Sequence, residues 1–521
     1  MSVDCILIFP YLEEANWKNE LRSKDNLALG YLASCARQAN YSVEIIHAEH
    51  KKMSTEEIIE IVKKIKPRTI GLSCTAQRAY PIVREYSNRI KKELEVPIFL
   101  GGIFPTIAYD KILYDCKNID IICLGEGEKF IVDFLDCVFN KKDYKNILGS
   151  AYLDDSNNLL VNKKNNVIED LDSLPFPAKD FFDDMQEEIK SGFYYINVSA
   201  GRGCYGNCSF CSTGKLTGIR KRRVRSPNNV VSEIKFFQQK YKVNYFKFID
   251  ELFIDKNNLK WIYDFCNEVE KQKLKIKFHI EARVDSISKQ ILRRLKKVGL
   301  DEVFIGLESG SQLVLDRYRK GHNIKTAEKA VKLIRKFRIK CQYGYIMIDP
   351  LLSFDQLKCN LKWLLNLGGY SKHNLYNKLN LYYGTDMYND IKVFEEKKEC
   401  TFYDREITYF KDLKVEKFSS LIEIAKKLFN EYNEKINKIL LFMIKNHKFK
   451  KKWKKIASKV NSKEVNVWKK IVLEAIEMVE NENNDEKLWN SFILNKIEKL
   501  KKTNDKTTFN NKLFIERGGI C

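Results

Sequence analysis

The sequence predicts an α/β protein with an N-terminal doubly wound domain over residues 1–145, a linker over 146–190, a central partial (β/α)6 barrel over 191–390 and a helical C-terminal region over 391–521. Three observations predict it. Short apolar runs of strand length alternate with helical stretches in two separate series, the pattern of parallel sheets covered by helices. A stretch rich in proline and acid, VIEDLDSLPFPAKDFF, divides the two series. Strand-like runs stop near residue 390, where Lys-rich amphipathic segments begin.

In the first series CILIFP, SVEIIHA, TIGLSCT, PIFLGG and IDIICLG read as strands, and LALGYLASCARQA and TEEIIEIVKKIK as helices between them. The runs are continuously apolar, as expected of a parallel sheet buried on both faces. Ligands of such sheets sit beyond the carboxyl ends of the strands. A polar strand or hairpin, GSAYLDDSNNLLV, opens the linker. The second series runs YYINVSAG, NYFKFIDELF, KIKFHIEARVD, DEVFIGLESG, KCQYGYIMIDP and KLNLYYGT, spaced by helices such as NVVSEIKFFQQKY, SKQILRRLKKVG and KTAEKAVKLIRKF. A barrel of this kind places its chemistry at the strand carboxyl ends. Three helical segments follow, beginning at SSLIEIAKKLF, NVWKKIVLEAI and KLWNSFILNKI, and then a loose tail, NKLFIERGGIC. The helices read either as a solvated appendage or as a module that binds substrate or partner and roofs a cavity between the two α/β domains.

Composition narrows the function classes. Hydrophobic residues are 44% of the chain, enough for packed cores despite 31% charged residues, so global disorder is excluded. The formal charge of +23 is diffuse, spread along a chain rich in Lys, Asn and Ile, and argues against a dedicated nucleic-acid surface. No secretory leader is evident and no apolar stretch approaches the roughly 20 residues that cross a bilayer, so a cytoplasmic protein without a membrane partner is expected. Most of the 14 cysteines stand singly in apolar segments, as reduced buried thiols do.

The exception is Cys204, Cys208 and Cys211, spaced C-x3-C-x2-C in the Gly-rich loop after the first barrel strand. Three thiolates so spaced can ligate three irons of a cubic [4Fe–4S] cluster and leave the fourth open. Structural zinc is the rival, but it wants four closed ligands, and no fourth Cys or His lies nearby in sequence.

With Phe210 between the last two cysteines, this loop resembles that of the radical S-adenosylmethionine (SAM) superfamily, over residues 190–390. The resemblance implies that the open iron chelates SAM and that an electron from the cluster splits it to a 5′-deoxyadenosyl radical. It further implies that Phe210 and the strand-end residues Asp250, Glu251, Arg283 and Glu308 surround SAM. The acids would face its ammonium or ribose, and Arg283 its carboxylate. Arg225-Ser226, in the run IRKRRVRS, is expected to fix the first barrel helix rather than to bind RNA. An electron donor such as flavodoxin or ferredoxin is implied as a partner.

The N-terminal segments LALGYLASCARQANYSVEIIHAE, IGLSCTA, FLGGIFPT and ICLGEGE resemble the cobalamin-binding domain of a large radical SAM subgroup. The implied cobalamin site is Ser73, Cys74, Thr75, Gly101, Gly102, Gly125 and Glu126, where small residues admit a bulky tail. The Asp-x-His-x-x-Gly motif of older cobalamin proteins is absent from the sequence, which implies cobalt without a histidine ligand.

These readings lead to a cobalamin-dependent radical SAM methyltransferase acting on an unactivated carbon or phosphorus of a natural-product, peptide or cofactor-precursor substrate. Met347-Ile348-Asp349-Pro350, in place of the Gly-x-Pro turn of many relatives, is similar to forms in natural-product and peptide-modifying pathways. The alternatives are a tRNA methylthiotransferase-like enzyme, a cobalamin-dependent rearrangement without methyl transfer, and a non-enzymatic sensor. The first is disfavoured by the missing N-terminal cluster cysteines and the helical C-terminus, and the sensor by the SAM-facing residues.

Overall fold

The computed structural model describes residues 3–11, 26–162, 167–184, 195–392, 401–403, 407, 409–445, 450–482 and 485–508. The tail expected after residue 510 lies outside them.

Five runs of the first series form parallel strands: β1 (Cys5–Phe9), β2 (Val43–His47), β3 (Thr69–Ser73), β4 (Ile98–Gly101) and β5 (Ile121–Cys123). The hairpin expected in the linker instead completes this sheet. Its strands β6 (Ser150–Leu153) and β7 (Leu159–Val161) give the order β2-β1-β3-β4-β5-β6-β7, with β6 antiparallel to β5. The reason is local: the Asp154 carboxylate accepts the Ser156 and Asn158 N–H groups and closes the turn, and the apolar face of β6 is buried. Helices Leu27–Gln38 and Glu128–Phe139 cover one face. Helices Thr55–Ile65, Tyr80–Glu93 and Ile103–Asp115 cover the other, burying Ile58, Val62, Val83 and Ile112.

The second sheet is parallel throughout, in the order β14-β13-β12-β11-β8: β8 (Ile196–Val198), β11 (Tyr245–Phe248), β12 (Lys277–Arg283), β13 (Leu300–Glu308) and β14 (Lys340–Tyr345). Between β8 and β11 a small antiparallel ribbon pairs β9 (Gly201–Arg202) with β10 (Arg223–Val224). The sixth run, KLNLYYGT, contributes only the parallel bridge Ile348↔Lys378. It is drawn off toward the first domain, where the Tyr383 N–H donates to the Gln77 side chain at 3.0 Å and the chain turns at Gly384, φ +73°. A Cβ there would lie 2.4 Å from Ile107.

Helices Leu413–Lys445, Lys450–Glu480 and Glu486–Thr508 pack on the barrel and share its core through Val415, Phe418, Trp468 and Trp489. Lys372 and Glu464, both largely buried, pair at 2.5 Å across this contact. None of the described helices is long and apolar enough to cross a membrane.

Candidate functional site

The carboxyl ends of both sheets open on one cavity of about 330 Å3. From the first sheet come Ser73, Thr75, Gly101, Gly102, Gly125 and Glu126, and from the barrel Ser199, Gly203, Glu251 and Leu216. Leu27, Leu29, Leu32, Phe99 and Phe130 make much of the wall apolar. Among the described residues, none of those beyond 412 contributes to the lining, contrary to the expectation that these helices roof it. They are held on the barrel core instead.

Glycine turns form the first-sheet wall of the cavity. Gly102 has φ +123°, and a Cβ would sit 2.4 Å from the Cys74 carbonyl oxygen. The Thr106 hydroxyl ties two turns together, donating to the Gly102 carbonyl at 2.8 Å and accepting the Gly125 N–H at 3.1 Å. A Cβ on Gly101 would meet only that of Cys123, so the space beside it belongs to the cavity. Cys74 does not join this wall. On a strand end successive side chains alternate, and its thiol points to the opposite core, donating to the Ala76 carbonyl. No histidine among the described residues lines the cavity.

Cys204, Cys208 and Cys211 share a smaller hollow of about 40 Å3 with Gly206, Thr213 and Arg220. No three His, Cys, Asp or Glu side chains among the described residues lie close enough to hold a single metal ion. Thiols set around a hollow suit a cluster, whose iron atoms are spread over a cube. The loop is shaped for thiolates. Gly206 donates its N–H to the Cys204 sulfur at 3.3 Å, Arg283 donates to the Cys208 sulfur at 3.7 Å, and the Thr213 hydroxyl lies 3.3 Å from the Cys211 sulfur. Burial pushes the Cys204 and Cys211 thiols up; the Gly206 N–H and Arg283 oppose it at Cys204, and Thr213 at Cys211. A Cβ on Gly206 would lie 2.9 Å from the Arg283 guanidinium and 3.3 Å from the Cys204 sulfur, so a side chain there would push the guanidinium away from the loop.

The residues expected around SAM divide into two groups. Glu251 is exposed at the cavity edge and accepts the Gly203 N–H at 3.1 Å. Phe210 meets the Tyr318 ring edge-on at 5.3 Å and lies 5.8 Å from the Lys320 ammonium. Glu308 accepts from Lys320 and has φ +61° at an irregularity in β13, a strained conformation of the kind that clusters at functional sites. Asp250 and Arg283, by contrast, are committed to the protein. The Asp250 carboxylate accepts the Ala200 N–H at 2.9 Å and pairs with Arg222 at 3.1 Å, both side chains 1% exposed. Burial pushes its carboxyl up to about 6, against the pull of Arg222. The Arg283 fork binds Asp285, the Cys208 sulfur and the Lys320 carbonyl.

Glu126, expected to face cobalamin, is buried and engaged by arginines of the barrel. It pairs with Arg223 at 2.5 Å and Arg202 at 3.3 Å, and accepts the Ile168 N–H at 2.7 Å. Burial alone would raise its carboxyl; the two arginines and that N–H outweigh it and hold the group below its ordinary value. Arg225 pairs with Glu233 in helix Pro227–Tyr241, and the Ser226 hydroxyl caps that helix by accepting the Asn229 N–H at 3.2 Å.

Sequence reasoning missed Arg202, Arg223, Lys320 and the part Asp349 plays. Asp349 is fully buried and accepts from Arg317 and from the Tyr318 hydroxyl. The carbonyls of those two residues in turn accept the Ser209 hydroxyl and N–H, between Cys208 and Cys211. The Asp-Pro turn therefore braces the cysteine loop.

Comparison with known proteins agrees with this geometry. Residues 25–135 match the B12 binding domain and residues 198–351 the radical SAM superfamily. The chain is 26% identical over 365 residues to the uncharacterized methyltransferase PH0819 of Pyrococcus horikoshii, covering 70% of this chain and 78% of that protein. It is 28% identical over 332 residues to the anaerobic magnesium-protoporphyrin IX monomethyl ester cyclase of Rubrivivax gelatinosus, covering 61% of this chain and 58% of that one. The structure of the cobalamin-dependent S-adenosylmethionine radical enzyme OxsB with aqua-cobalamin bound superposes with a TM-score of 0.68 at 19% identity, covering 96% of this chain and 84% of OxsB.

Proposed function

Because the chain joins a B12 binding domain to a radical SAM domain and so belongs to the cobalamin-binding radical SAM enzymes, we propose that it is a methyltransferase acting on an unactivated carbon or phosphorus of a small-molecule or peptide substrate. The observation that carries this reading is the single cavity, lined by the glycine turns of the first sheet and by the loop that begins at Gly203, beside Cys204.

In this reading Cys204, Cys208 and Cys211 hold the cluster, and Ser73, Thr75, Gly101, Gly102 and Gly125 seat the corrin. Phe210, Glu251 and Glu308 face SAM. Bound there, the cluster supplies the electron that splits SAM and the corrin supplies the methyl group. The chain's own work is to orient and to exclude water. Arg283 and the Gly206 N–H stabilise negative charge on the thiolates, Asp250 anchors Ala200 ahead of the loop, and the leucines and phenylalanines of the wall keep the cavity dry. A one-electron carrier such as flavodoxin or ferredoxin serves as the reductant. A second reading, radical chemistry on the substrate without methyl transfer, is favoured by the similarity to a cyclase as well as to a methyltransferase.

One experiment separates them. Reconstituted holoprotein under strong reductant is given SAM with a deuterated methyl group and no substrate. Methyl transfer predicts S-adenosylhomocysteine and label in the corrin fraction. Formation of 5′-deoxyadenosine with an unlabelled corrin would support the second reading and overturn the first.

A further inference from the structure

The neck of the cysteine loop contains an arrangement that is unfavourable by itself. Arg202 and Arg223 are direct partners in the β9–β10 ribbon, which has only two residues per strand. Like charges directly opposite one another destabilise such a pair. The backbones are also forced close: a Cβ on Gly201 would lie 2.5 Å from the Arg223 carbonyl oxygen, and one on Gly203 2.5 Å from that of Lys221. The charge that neutralises the pair comes from the other domain. Glu128 lies 2.5 Å from Arg202, and Glu126 lies 2.5 Å from Arg223 and 3.3 Å from Arg202. Both carboxylates follow β5, both are buried, and Tyr31 of the same domain receives the Arg202 guanidinium over its ring at 5.2 Å. All four charged residues also line the cavity.

We infer that Glu126 and Glu128 are positioning residues for the iron–sulfur loop: by neutralising Arg202 and Arg223 they close the ribbon at its neck, so that the N-terminal domain sets the place of Cys204, Cys208 and Cys211. They act through the arginines and touch none of the three thiols. The inference rests on the reading that those cysteines hold a cluster. It adds that cluster geometry depends on carboxylates of the corrin-binding domain.

The test uses the full chain with its cluster reconstituted. The SAM-induced change in the electron paramagnetic resonance of the reduced cluster is titrated for the wild type and for Glu126→Gln, Glu128→Gln and Glu128→Asp. Each Gln variant loses a charge-assisted contact, so SAM affinity should fall about tenfold. The spectrum of the reduced cluster should also change before SAM is added. Glu128→Asp should recover most of both effects. A role confined to stability would lower the unfolding temperature and leave the spectrum and SAM affinity of the folded protein unmoved; that result overturns the inference. If Glu126→Gln fails to fold, Glu128→Gln, which leaves the Arg223–Glu126 pair in place, decides the matter alone. A wild type that takes up no cluster overturns the inference together with the reading beneath it, whereas a normal wild type with unaltered variants overturns the inference only.

Discussion

The Lys320 ammonium donates to the Glu308 carboxylate at 3.0 Å inside the barrel, in space left by two glycines facing each other on neighbouring strands. A Cβ on Gly306 would lie 2.5 Å from the Glu308 carboxylate and 3.0 Å from the ammonium, and one on Gly344 3.4 Å from the carboxylate. Burial disfavours the Lys320 charge, yet the Glu308 carboxylate beside it holds the ammonium above the ordinary lysine value. The pair lies next to Phe210 and behind the cysteine loop.

Replacing Lys320 with Met should therefore leave Glu308 buried without its counter-charge and destabilise the protein by about 3–5 kcal/mol. Gly306→Ala keeps both charges and should displace the pair. Urea unfolding measures the first effect, and SAM affinity at unchanged secondary structure the second.

Substituting Ala at Cys204, Cys208 and Cys211 together should remove the iron–sulfur absorbance and all 5′-deoxyadenosine formation. Because each thiol is only partly buried, the apoprotein should keep its fold. Iron analysis and far-ultraviolet circular dichroism of the same sample check both statements.

Gly102→Ala should weaken hydroxocobalamin binding by at least about tenfold, since the new methyl group meets the Cys74 carbonyl at 2.4 Å in a backbone conformation that disfavours side chains. In the wild type, the paramagnetic resonance of bound cob(II)alamin should show no nitrogen splitting, because no histidine among the described residues lines the cavity. Equilibrium dialysis and the resonance spectrum are the two measurements.

Acidification should loosen the domains from each other. The folded Glu126 carboxyl titrates below its ordinary value of 4.5, so the unfolded chain takes up its proton first as pH falls. The stabilisation is fully present above about pH 4.5 and is lost as pH drops through the depressed folded value. Unfolding free energy measured from pH 7 downward should fall more steeply for the wild type than for Glu126→Gln.

Much of this architecture was legible in the residues. Continuous runs such as CILIF and VFIGLE are strands because their side chains are buried between helical layers, and the C-x3-C-x2-C spacing marked its loop without any structure. Alternation along β3 would also have shown that Ser73 and Thr75 face one way and Cys74 the other. The commitments of Asp250, Arg283 and Glu126 were not legible. Each is a strand-end charge of the expected type, but its partners are remote: Arg222 and the Ala200 N–H for Asp250, Lys320 for Arg283, and Arg223 for Glu126. The sixth run failed as a strand for a similar reason, since Gln77 competes for its backbone.

The ribbon at the neck of the cysteine loop also orders events in time. Glu128 precedes Arg202 by 74 residues and Glu126 precedes Arg223 by 97, and the first sheet is complete in the chain at Val161. Domains of this size fold in the order in which they leave the ribosome. The acidic face therefore leaves the ribosome ahead of the loop that needs it, and the later loop can close against carboxylates already placed by the first domain.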